Sequence, residues 1–61
     1  MDNVIVKLVK YIDSEWTVGQ KYSGIDDGAQ YVITDNTGGR HPFIKTGKMM
    51  KHFEVVENGE D

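Results

Sequence analysis

Residues 36–42 read Asn36-Thr37-Gly38-Gly39-Arg40-His41-Pro42. Paired glycines beside an arginine and a histidine are the materials of a phosphate-cradling loop. Such a loop needs successive backbone N–H groups that open onto a helix N-terminus, with a lysine following. Here the glycines lead into Arg40-His41-Pro42-Phe43, a strand-like run, and Thr46-Gly47-Lys48 comes too late to complete the spacing. A hairpin turn, with the glycines at positive φ, accounts for the same letters. His41 and His52 could bind a metal or act as bases, but they stand apart with no third donor at useful spacing, and a metal site needs several converging ligands. Both are read as solvated or loosely paired, and no metal or other cofactor is expected. Asp26-Asp27-Gly28 reads as a turn rather than a pair of catalytic carboxylates. With no nucleophile–base pattern either, the expectation is a non-enzymatic protein.

The elements that would have to position any site are few. The chain has 61 residues, and a domain of that size buries only about 60% of the surface its unfolded form exposes. Disulfides and thiolate zinc sites are the usual aids to so small a core, and the chain contains no cysteine. There is no apolar run long enough to span a membrane, and Met1–Lys10 lacks the plan of a signal peptide. A cytoplasmic domain is expected. Net charge is −3, yet Arg40–His52 holds four cations, two histidines and no acid. The rest of the chain sets three lysines against ten carboxylates. Such asymmetry speaks to association more than to fold.

Short β-branched and aromatic segments alternate with turn clusters, the rhythm of a small all-β protein. Val4–Ile12 is the first expected strand. Both of its faces are apolar, which predicts either burial on both sides or a face-switching bulge, placed near Leu8–Val9. Gln20–Ile25 follows a loop, then Asp26-Asp27-Gly28 turns into Ala29–Thr34, with Tyr31 and Ile33 on one face. Asp35–Gly39 turns into Arg40–Ile44, where Pro42 suits an edge strand because it lacks a ladder N–H. Thr46–His52 reads as a single helical or 3₁₀ turn. Phe53–Glu57 alternates apolar and acidic residues with one slip. Residues 1–57 make one domain and Asn58–Asp61 a polar tail.

Five short strands with one helical turn before the last is the element order of an SH3-like barrel. Four stretches carry a more specific resemblance: Val9-Lys10-Tyr11-Ile12-Asp13, Thr17-Val18-Gly19-Gln20-Lys21-Tyr22, Tyr31-Val32-Ile33-Thr34-Asp35-Asn36-Thr37-Gly38 and Phe53-Glu54-Val55-Val56. In these the chain resembles a group of very small phage and prophage proteins with SH3-like folds, across residues 9–56. The resemblance implies an all-β, five-stranded SH3-like barrel and supplies no catalytic residues. Peptide-binding eukaryotic SH3 domains are a poorer match. They carry an acidic "ALYDY"-like stretch and paired tryptophans, whereas Trp16 is the only tryptophan here and sits in the first loop.

Large aromatic side chains are the candidates for a partner-binding surface. Trp16 is either a lid on the core or an exposed contact of the kind enriched at interface hot spots. Tyr11, Tyr22, Tyr31 and Phe43 pose the same choice, and Met49-Met50 offers one plug and one adaptable contact. The leading expectation is a phage-type protein that binds, and modulates, a host protein through Trp16, Tyr22, Tyr31 and Phe43. A homodimer is a further arrangement the sequence allows. The alternative is a nucleic-acid-binding module whose Arg40, Lys45, Lys48 and Lys51 contact phosphates while Phe43 stacks a base.

Overall fold

The computed structural model describes residues 2–59, with side chains described through residue 57. Five strands follow in order: β1 (Asp2–Leu8), β2 (Lys21–Asp26), β3 (Gln30–Thr34), β4 (Arg40–Ile44) and β5 (Phe53–Gly59), with a 3₁₀ turn at Lys48–His52 before the last. They form a single open antiparallel sheet in the order β4-β3-β2-β1-β5. The all-β expectation holds at this level, and the 3₁₀ turn packs against both outermost strands, β4 and β5.

Alternation along β1 sends Val4, Val6 and Leu8 into the core, all fully buried, while Ile5 and Lys7 lie half-buried on the opposite face. Trp16, Tyr22, Ile33 and Phe53 complete the core, with Ile12, Tyr31, Phe43 and Met50 packed against it. Gly24 sits where β2 crosses that core. A Cβ there would lie 2.8 Å from the Val32 carbonyl oxygen and 3.2 Å from a Val4 methyl, so only glycine permits the close approach of β2 to its neighbours.

Two expectations about the first strand are corrected. It ends at Leu8 and does not reach Ile12. The Leu8 N–H donates to Gln20 O, and the N–H groups of Val9 and Lys10 both donate to His52 O, so the chain leaves the ladder there. Nor is there a face-switching bulge at Leu8–Val9, because Val9 and Tyr11 are exposed. The irregularity lies in the pairing of β1 with β5. Val6 pairs with Val55 and Ile5 with Glu57, leaving Val56 as the extra residue. The slip in Phe53-Glu54-Val55-Val56-Glu57 is this bulge. β5 also runs on to Gly59, with Asn58 opposite Val4, so the expected tail is strand for its first two residues. The last two residues of that expected tail, 60 and 61, lie outside the described residues.

Both outer edges of the sheet are interrupted. Lys45 N–H donates to Ala29 O and Asp35 N–H to Gly39 O, which puts the odd-numbered residues of β4 in hydrogen-bonded register with β3. Arg40, Pro42 and Ile44 therefore turn their backbone groups outward, and proline removes the central donor of that free edge. At the other edge, β5 has its bulge at Val56 and the acids Glu54 and Glu57. These are devices that discourage pairing with a further strand.

Candidate functional site

The Asp35–Gly39 turn that opens the 36–42 stretch is indeed a hairpin turn, with Gly38 alone of its two glycines at positive φ (89°). Its centre is the carboxylate of Asp35, whose side chain is almost fully buried. Oδ1 accepts three hydrogen bonds: from Thr37 N–H at 2.9 Å, the Thr37 hydroxyl at 2.7 Å and Gly39 N–H at 2.8 Å. Oδ2 accepts from His41 Nε2 at 2.7 Å. A carboxylate only accepts, so Nε2 carries the proton. The Thr37 hydroxyl, then His41 and the two backbone donors, hold the Asp35 carboxyl far below the usual carboxylate range against the opposing effect of burial.

This corrects the reading of His41 as solvated or loosely paired, and the expectation that no third donor comes near it. Glu15, distant in sequence, brings Oε1 to 3.9 Å from His41 Nε2, so Glu15, Asp35 and His41 converge. The distances are nevertheless those of a hydrogen-bonded lock. Two donors on one tetrahedral metal stand roughly 3.3 Å apart, whereas His41 and Asp35 are 2.7 Å apart. Nor is the order that of a nucleophilic triad, in which histidine stands between hydroxyl and carboxylate. Here the carboxylate stands between Thr37 and His41, so the histidine has no hydroxyl to activate. Sequence spacing could not reveal the cluster, because it depends on the Glu15 loop folding across the turn.

Tyr22 makes that connection. Its hydroxyl accepts from Thr17 N–H at 2.6 Å and donates to Asn36 Oδ1 at 2.9 Å, while Asn36 Nδ2 donates to Thr17 Oγ1 at 3.1 Å. Trp16 is thereby seated over the core. It makes tilted or edge-to-face contacts with Tyr22, His41, Phe43 and Phe53 at centroid distances of 5.0–5.8 Å. Trp16 and Tyr22 are 4% and 6% exposed. Their candidacy as partner contacts is thus corrected: both are core, and burial leaves neither a face for a partner. Tyr31 and Phe43 are half-buried and pack on the same core.

The four cations of the acid-free segment do not share one face. Arg40 lines a groove of about 460 Å³ on the outer side of the sheet with Ile5, Ser23, Ile25, Val32 and Thr34. Lys45, past the other end of β4, lies 2.7 Å from Asp26 Oδ1 and 5.0 Å over the Tyr31 ring. That hydrogen bond raises the Lys45 ammonium and, together with Gly28 N–H, lowers the Asp26 carboxyl. Lys48 and Lys51 stand exposed on the 3₁₀ turn. His52, from the same turn, directs Nδ1 at the carbonyls of Lys10 (3.2 Å) and Tyr11 (3.0 Å), and so is a fastener rather than a free base.

Past the end of β1 three apolar side chains stay open: Tyr11, which the sequence left between core and contact, and Val9 and Val18, which it gave no contact role. Tyr11 is 64% exposed, Val18 50% and Val9 47%. Gly19 N–H donates to Leu8 O at 2.7 Å, which sets Val18 beside the start of this segment on one flank, while His52 holds the other. Among the described residues no helix is long and apolar enough to cross a membrane. Comparison with protein-family models, with curated proteins and with solved structures finds no match to this chain.

Proposed function

We propose that this chain is a small non-enzymatic binding module with an SH3-like barrel, and that its ligand is a protein. One open sheet in the order β4-β3-β2-β1-β5, with a 3₁₀ turn reaching both outer strands, supports the barrel reading. The sequence resemblance to small phage proteins supports a host protein as the ligand and the host cytoplasm as the place of action. The observation that carries the binding reading is the exposed trio Val9, Tyr11 and Val18, which includes the most exposed large hydrophobic side chain among the described residues, Tyr11. Pro42 and the Val56 bulge disfavour strand addition at either edge, so the ligand meets side chains and not a free ladder.

Capture from a bacterial lysate tests this reading with the wild type, Tyr11→Ala and Ile44→Ser. Ile44 is as exposed as Tyr11, at 61%, but lies on the distant edge strand β4. A species retained by the wild type and Ile44→Ser but lost by Tyr11→Ala is the expected result. Equal retention by all three, or none by any, overturns it. Trp16→Ala is unsuited to this purpose, since it removes a core side chain.

A further inference from the structure

The fold assembles a cationic pole that no stretch of the sequence displays. Lys7 and Lys21 are direct cross-strand partners on the outer face at the C-terminal end of β1. Lys10 follows in the segment that leaves the sheet, and its N–H donates to His52 O, which brings Lys51 alongside. Three of these four lysines come from outside the acid-free segment. Among the described residues none of the four lies within 4.0 Å of a carboxylate; the ion pairs found involve His41 and Lys45. Glu54 is the other cross-strand partner of Lys7, so one acid borders the pole directly, and Asp13 follows two residues after Tyr11.

The opposite end of β1 has the opposite sign. Asp2 is the cross-strand partner of Asp26, next to Asp27, with Glu57 opposite Ile5. Lys7 stands five positions along the strand from Asp2, about 17 Å at ~3.3 Å per residue. The Debye length at physiological salt is about 8 Å. Asp2, Asp26 and Asp27 therefore lie beyond the screening length of Lys7, whereas Glu54, its neighbour on β5, lies within it.

Resting on the protein-binding reading above, we infer that the pole formed by Lys7, Lys10, Lys21 and Lys51 around Val9, Tyr11 and Val18 docks an acidic, apolar-anchored segment of the partner protein. Charge complementarity sets the acidic character, and the exposed apolar trio sets the need for anchors. Single-stranded nucleic acid is the less suitable polyanion. It requires stacking platforms, and two of the three exposed apolar groups here are valines. The pole has no arginine either, the cation that stacks on bases and forks onto phosphate.

The test is fluorescence anisotropy with three labelled probes. They are a short peptide alternating glutamate with leucine and phenylalanine, its Glu→Gln counterpart, and an oligo-dT strand. The wild type is expected to bind the acidic peptide best, and more weakly as salt rises. Lys10→Glu/Lys51→Glu should lose about tenfold or more, while Arg40→Glu, on the far strand, should bind as the wild type does. Both lysines are exposed, and circular dichroism checks that the double variant is folded. Tighter binding of oligo-dT, equal binding of the Gln peptide, no binding of any probe, or indifference to the double charge reversal each overturns the inference. The lysate experiment separates the two claims: capture that depends on Tyr11 but not on Lys10 and Lys51 keeps the protein-binding reading and removes the acidic segment.

Discussion

Asp35 shows how one residue can look like chemistry and act as structure. With every contact of Oδ1 coming from its own turn and Oδ2 taken by His41, the carboxylate organises residues 35–41. Its folded pKa lies below the ordinary 3.8. The stabilisation this represents is complete above the unfolded value. It is lost as pH falls toward the folded one, because the unfolded chain takes up the proton first. We expect the urea midpoint of the wild type to drop between pH 7 and pH 3. Asp35→Asn should have a lower midpoint at pH 7 and a smaller drop. An unchanged pH 7 midpoint would show that the turn does not depend on the charge. At the same scale, Tyr22→Phe leaves the Thr17 N–H without its acceptor and should cost about 1–3 kcal/mol in denaturant unfolding.

At the scale of elements, the turns and strand cores were legible before the fold was known. Residues 40–44 appear as β4 with the bounds expected, because a glycine turn precedes them and proline places them at an edge. The bulge was legible as a slip in Phe53–Glu57 but was placed in the wrong strand. Val4–Ile12 looks like one long strand because valines and isoleucines continue past Leu8, and periodicity cannot see that His52 captures two successive N–H groups. Pro42→Val restores the missing edge donor of β4. Sedimentation of that variant at high concentration should show self-association that the wild type does not, whereas an equal degree of association in both would remove proline from that role. Gly24→Ala should cost about 1–3 kcal/mol, because the added methyl meets backbone that cannot move aside.

For the whole molecule, stability and recognition draw on one small stock of apolar side chains. Among the described residues seven hydrophobic side chains are buried, four of them fully, and a core of this size supplies roughly 3–5 kcal/mol. Removing a buried tryptophan costs about 3–5 kcal/mol. Trp16→Ala should therefore be largely unfolded at room temperature by circular dichroism, while Trp16→Phe keeps the fold. A folded Trp16→Ala would mean that the loop is a dispensable lid. Tyr11, Val9 and Val18 are the apolar groups that the fold leaves outside at its lysine-rich end, and their exposure is what makes that end a candidate contact.

Alone, the sequence determined the secondary-structure class, the two glycine turns, the 3₁₀ turn and the shared face of Val4, Val6 and Leu8, though not that this face is the inward one. These follow from interactions within a few residues: φ preferences, side-chain alternation and the missing N–H of proline. Only the tertiary structure decided which aromatics are core and which charges are neighbours. Trp16 and Tyr22 are buried because a hydrogen-bonded loop closes over them, and Lys45 is neutralised by an acid nineteen positions earlier. The lysine pole arises where antiparallel pairing lays Lys21 beside Lys7 and the last turn beside Lys10. Charge along a chain is a local property; charge on a surface depends on register, and register is fixed by pairing over long distances.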